Sequence, residues 1–261
     1  MRDYIVCTPK SLPRKMWVAA ARKAVKINAA NHPHAEFVVR ALAGMAPHPE
    51  RIAVLVARRW PTPGVRLTVG FMDNPPADLR ARIISHMNAW AKTANVQFTE
   101  TKTAPQVRIA RVDTPPEMAG YWSYLGTDIT SIPANEPTMN LESFTMNTLE
   151  SEFHRVVRHE TGHTLGFPHE HMRRELVKKI DPAKAIKYFR ATQGWTAEEV
   201  RQQVLTPIEE SSLLGTPHAD PRSIMCYQIP GTITKDGKPI IGGKDIDKKD
   251  YAFAASIYPK Q

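Results

Sequence analysis

Apolar and polar residues alternate strictly through residues 65–71 (Val65-Arg66-Leu67-Thr68-Val69-Gly70-Phe71), the period-two signature of a half-buried strand, and Asp73-Asn74-Pro75-Pro76 ends the run. The period then changes. Leu79, Ile83, Met87 and Trp90 recur at helical spacing and predict an amphipathic helix over residues 78–93. Strand-like patterning returns over residues 96–100 and 106–112. The order strand, helix, strand, strand predicts a mixed, twisted sheet backed by a helix, and hence an α+β fold.

Upstream, Ser11 followed by Leu12 and Pro13 reads as a helix N-cap, with Trp17, Val18, Ala21 and Val25 continuing at helical spacing to residue 28. A short helix over residues 35–42 follows, stopped by Gly44, Pro47 and Pro49; residues 51–59 fit helix or strand equally, and residues 60–64 read as a linker. Farther along, Phe153, Val156, Val157 and Thr164 mark a helix over residues 148–165 with Gly166 as its C-terminal cap. Asp181-Pro182 opens another helix, and a Thr196-x-x-Glu199 capping box opens one more before residue 214.

With 42% hydrophobic and 23% charged residues in 261, the composition is that of a globular chain rather than a disordered one. Apolar runs such as Ile52 to Ala57 stop at six residues, far short of the ~18 that span a bilayer, so no membrane span is expected. The first residues lack an apolar signal region, which leads to the expectation of a cytoplasmic protein or one exported by another route. Cys7 and Cys226 are too few for a disulfide framework and suit a reducing compartment. The net charge of +9 is uneven: the first 60 residues hold 11 basic and 3 acidic side chains. Such an arm can bind nucleic acid or an acidic surface, but it has no aromatic interleaving and no nucleic-acid motif, so the asymmetry reads as a domain boundary near residue 58.

The chemistry sits in His159-Glu160-Thr161-Gly162-His163-Thr164-Leu165-Gly166-Phe167-Pro168-His169. On a helix, residues i and i+4 share a face, so His159 and His163 can grip one metal ion while Glu160 points beside it toward a water. Gly166 can take the left-handed conformation that turns the chain and returns a third imidazole, His169. Three neutral imidazoles leave a tetrahedral position open, the pattern of a catalytic rather than a structural zinc.

These residues resemble the metzincin metalloproteases, and within them the astacin family, whose Gly-Phe-x-His-Glu continuation is matched by Gly166, Phe167, His169 and Glu170. Ser223-Ile224-Met225-Cys226-Tyr227 resembles the family's Met-turn, which implies that Met225 underlies the metal and that Tyr227 is both a movable zinc ligand and a catalytic residue. Gly120-Tyr121-Trp122-Ser123-Tyr124-Leu125-Gly126 is similar to a further family segment, as are Asp245-Ile246 and Ile257-Tyr258. The resemblance implies a metzincin-like zincin fold: a helical N-terminal segment (1–58), then a protease domain (59–261) with an upper subdomain (59–166) carrying the active-site helix and a less regular lower one (167–261). The family's two catalytic-domain disulfides have no counterpart here, and the Arg-x-Asp-Arg-Asp pattern after Glu170 is matched only at Arg173.

The expectation is therefore a monomeric, zinc-dependent endopeptidase acting on proteins or peptides, with His159, His163, His169 and Tyr227 as metal ligands, one catalytic Zn²⁺, and Glu160 as general base. Substrate is expected to lie extended along an exposed sheet edge near residues 138–142. Two other readings stay open: a catalytically silent zinc or interaction protein, and binding of nucleic acid or a surface through the basic arm. His154 and His171 read as solvated, and Glu170 as a salt-bridge partner. Cys7 supports two readings, a small buried apolar residue in a structural layer or a candidate latency ligand whose thiolate takes the zinc, with Arg58-Arg59 as the trypsin-like site that would release it.

Overall fold

The computed structural model describes residues 7, 10–33, 56–207 and 219–261. The helix expected over residues 35–42 lies outside them, as does much of the undecided 51–59 stretch.

Strand β1 (Val65–Phe71) buries Val65, Leu67 and Val69. It lies between β2 (Val96–Glu100) and β3 (Val107–Ala110), with Val65 opposite Val96 and Val69 opposite Val107, both pairings parallel. The chain then forms β4 (Tyr121–Ser123) and β5 (Met139–Leu141). β5 joins β3 in parallel and β4 closes the far side antiparallel, giving the order β2-β1-β3-β5-β4. The sheet is mixed, as the pattern predicts, but residues 138–142 are not its edge. β5 is paired on both sides, and the edge strand beside it is β4, because the chain folds back outside the strand that follows it.

Helix α2 (Ala77–Met87), which follows α1 (Trp17–Ile27) in the chain, backs the sheet through Leu79, Ile83 and Met87. It tightens to 3₁₀ geometry over Asn88–Lys92 rather than running on as α-helix. Asn88 causes this: its amide donates to Phe98 O and accepts from Phe98 N, both at 2.9 Å, tying the helix end to β2. β3 stops short of the expected residue 112 because Val112 N bonds the Asn140 side chain instead of a neighbouring strand.

A helix starts as one turn over Glu150–Glu152, widens into a π-turn over Phe153–Val157, and returns to α geometry as α3 (Arg158–Thr164). Its residues Phe153, Val156 and Val157 are buried in the main core. Helix α4 (Pro182–Gln193) is capped by Asp181, and α5 (Ala197–Val200) carries the Thr196–Glu199 capping box before a π-turn over Arg201–Leu205. These pack with Ile180, Ile229, Ile233 and Ile240 in a second core. Phe167, Ile224, Met225 and Tyr258 belong to the first core, as does Ala254 of helix α6 (Lys248–Ile257).

Ser11 is not the cap of the first helix. A 3₁₀ turn over Arg14–Met16 precedes α1, and Pro13, which has no acceptor side chain, occupies the cap position. Leu12, Ala20 and Ile132 form one small cluster and Ala21, Ala24 and Val56 another, so α1 is packed against the rest of the protein. The expected linker is also fastened: Trp60 is 5% exposed, and its indole donates to Thr164 O at 2.8 Å. No helix among the described residues is long and apolar enough to cross a membrane.

Candidate active site

The end of α3 is held from several directions. Its last carbonyls, which a helix leaves without partners, accept from the Trp60 indole at Thr164 and from the Tyr258 hydroxyl at Leu165 (2.6 Å). Gly166 sits at φ +92°, and its N–H bonds His163 O at 2.8 Å. A β-carbon there would stand 2.8 Å from Arg58 O, so conformation and space both require glycine. The turn delivers His169 to the face of α3 that bears His159 and His163.

Three imidazoles converge. The Nε2 atoms of His159, His163 and His169 lie 3.0–3.1 Å apart. The Nδ1–H of His159 donates to Ile224 O (2.6 Å) and that of His163 to Phe167 O (2.8 Å), which leaves their Nε2 lone pairs facing inward. Burial pushes His159 down to about 4 and holds His163 and His169 well below the usual histidine range, with neighbouring imidazoles adding to the effect at the last two. Neutral acceptors facing one another repel unless a cation lies between them, and their spacing is near the ~3.3 Å of nitrogens on ~2.0 Å tetrahedral arms. The trio fits a metal ion.

Glu160 is 1% exposed, and burial lifts its carboxyl to about 8. Its Oε2 faces the Cys7 thiol, which donates to it at 3.5 Å. Cys7 Sγ also stands with the three imidazole nitrogens in one potential metal-binding group, all ligand atoms within 4.8 Å of one another. Burial, then the Glu160 carboxylate, raises the thiol's pKa in this arrangement. The Tyr227 hydroxyl donates to the Cys7 carbonyl, so one N-terminal residue touches the trio, the carboxylate and the phenol. Three residues on, Lys10 pairs in parallel with Tyr124, next to edge strand β4.

Met225 faces Gly162, between His159 and His163 on α3, from a turn fixed by Asp250, whose carboxylate accepts from Ser223 Oγ (2.5 Å) and Ile224 N (2.9 Å). The Met225 carbonyl accepts from Glu170 N at 2.8 Å. Glu170 itself accepts from Asp220 N (2.9 Å) and stands 3.6 Å from Arg173, a structural partner as expected.

Three expectations are corrected. His171 is not solvated: it is fully buried, stacked on Tyr227 with centroids 3.9 Å apart at 16°, and it donates from Nε2 to Gln203 O at 3.0 Å. His154 is half-buried and engaged, with Asp245 at 2.9 Å and Glu150 at 3.2 Å. Arg58-Arg59 is not a protease site. Both residues are buried, Arg58 Nε meets Asp128 at 2.6 Å, and the Asn31 side chain accepts from Arg59 N and donates to Arg59 O, each at 2.9 Å. Two glycines within the quoted motifs prove to have steric roles. Gly162 faces Met225, and Gly126 sits at φ +47° where a β-carbon would fall on Arg58 O. A glycine between two helical histidines is itself a signal, since it costs about 1 kcal/mol in a helix unless something lies close above it.

The profile of the Astacin peptidase family matches residues 54–249. Zinc metalloproteinase nas-27 of Caenorhabditis elegans is 30% identical over 192 residues, which cover 72% of this chain and 38% of that protein. Among solved structures, myroilysin is 30% identical with a TM-score of 0.71, over 78% of this chain and 97% of that one. High choriolytic enzyme 1, a hatching enzyme zinc-protease of Oryzias latipes, shares the fold at 19% identity and a TM-score of 0.51, over 78% and 94% of the two chains. The chain belongs to the astacin family. It spans well under half the length of the curated relative it matches.

Proposed function

We propose that this chain is a zinc-dependent endopeptidase acting on proteins or peptides, and that its N-terminal segment holds it latent. The observation that carries the first part is the inward-facing Nε2 trio with a buried carboxylate beside it. His159, His163 and His169 would hold the ion, with Tyr227 as the movable further ligand. Zinc, when bound, supplies Lewis acidity that polarises a scissile carbonyl and acidifies water. Glu160 takes the proton from the attacking water and returns it to the leaving amine. Tyr227 donates its hydroxyl hydrogen to the carbonyl oxygen as negative charge develops there. An extended substrate adds to the β4 edge, beside which Lys10 pairs with Tyr124 in the latent form.

Latency is supported by the placement of Cys7. Its thiol lies with the imidazole trio, its carbonyl takes the Tyr227 hydroxyl, and Lys10 pairs with Tyr124 beside β4. A thiolate is a strong zinc ligand. The burial of Arg58-Arg59 speaks against this bond as the site of an activating cleavage.

The test is hydrolysis of quenched fluorescent peptides by the zinc-loaded full chain, its Cys7→Ala variant, and the chain lacking residues 1–33, each with and without chelator. Chelator-sensitive cleavage, slow in the intact chain and faster in both altered forms, is the expected result. Equal rates in all three would remove the latency reading. Stoichiometric zinc without cleavage in any form would favour a catalytically silent zinc protein.

A further inference from the structure

Tyr227 is buried among aromatic rings, yet its proposed role needs the phenol to stand at one place and to leave it. Two rings bound it. His169 lies at 4.3 Å between centroids and 57°, an oblique contact, whereas His171 lies at 3.9 Å and 16°, face to face. Only the second contact fixes the plane of the phenol.

His171 is in turn anchored to a part of the chain distant in sequence. Its Nε2–H donates to Gln203 O, a carbonyl in the π-turn Arg201–Leu205 at the end of the α4–α5 pair. Its other nitrogen, Nδ1, is buried and without a partner among the described residues. A polar ring sealed in this way is not there for hydrogen-bond satisfaction, since an apolar ring would fill the same space at lower cost. What histidine adds over an apolar residue is one directional bond at one ring edge, and that bond sets the rotation of the face on which Tyr227 lies. Val200 and Val204, flanking Gln203 and packed in the same core as Tyr227, hold the π-turn in place.

We propose that His171 is a positioning residue for Tyr227, and that the α4–α5 pair acts on the active site through the Gln203 carbonyl and the His171 ring. The helices of this pair thereby set the resting orientation of the phenol. The inference rests on the reading that Tyr227 takes part in peptide hydrolysis, and one arm of its test is independent of that reading.

His171→Ala and His171→Phe are compared in the full chain, alone and combined with Tyr227→Phe, all in a Cys7→Ala background with zinc content measured. The expected result for His171→Ala is a fall in kcat of at least tenfold with KM changed less than about threefold. His171→Phe, which keeps a stacking face but loses the Gln203 anchor, should fall between it and the parent. In the Tyr227→Phe background, either change should cost less than a further twofold. The second arm uses ring-labelled tyrosine in the metal-free protein. The Tyr227 ring protons, shifted upfield by the stacked imidazole, should move downfield in His171→Ala and less in His171→Phe. A loss that simply multiplies with that of Tyr227→Phe would overturn the proposal, as would an unmoved Tyr227 resonance. If Tyr227→Phe keeps parental activity, the catalytic reading of Tyr227 fails, and the resonance alone decides whether His171 orients it.

Discussion

The sulfur of Met225 lies 2.4 Å from the point where a β-carbon on residue 162 would stand, so the methionine is accommodated by the absence of a side chain on α3. Gly162→Ala should therefore destabilise the protein by about 1–3 kcal/mol, although alanine is the better helix former by about 1 kcal/mol. A lowered melting temperature that recovers partly when Met225→Ala is added would bear this out. An unchanged or raised melting temperature would mean that the sulfur moves aside freely.

Glu160→Gln should keep zinc stoichiometry and the fold while lowering kcat by about 10²–10⁴, the usual contribution of a general base. Zinc content by atomic absorption and turnover in the Cys7→Ala background separate the two effects. Activity within tenfold of the parent would remove Glu160 from the mechanism.

In the Cys7→Ala background, His163→Ala should lose bound metal altogether, since two imidazoles and a mobile phenol are a poor set for zinc. Added zinc in modest excess should not restore turnover. Full occupancy in this variant would contradict the assignment of the trio.

Trypsin should leave the Arg58–Arg59 bond intact in the native protein, because that peptide is buried and clasped by Asn31. Asn31→Ala, which leaves the Arg59 N–H and carbonyl without these partners, should cost about 1–3 kcal/mol. Mass spectrometry of a limited digest checks the first point and chemical denaturation the second. Rapid cleavage after Arg58 at native temperature would show the clasp to be open in solution.

What the sequence made legible was local. The histidine spacing lies within one helix and its turn, and Gly166, Asp181 and the Thr196–Glu199 box act within a few residues of themselves. What it hid was long-range. The burial of His171 depends on Tyr227 and on Gln203, 32 residues away, and nothing in its polar neighbourhood announces either. The sheet edge was misplaced because β4 precedes β5 in the chain but lies outside it, an inversion that hydrophobic alternation does not encode. Arg58-Arg59 looks cleavable as a dipeptide and becomes inaccessible only where Gly126 and Gly166 close on the Arg58 carbonyl.

The contact of Cys7 with the site also has a direction in time. Chains emerge from the ribosome N-terminus first and begin folding in that order. Cys7 therefore exists before any of the imidazoles it faces, while the turn carrying Met225, its Asp250 clasp and the Tyr258 hydroxyl that caps α3 emerge later still. On the latency proposed above, the stopper is made before the bottle, and a nascent chain need never pass through an open, metal-loaded form beside its neighbours.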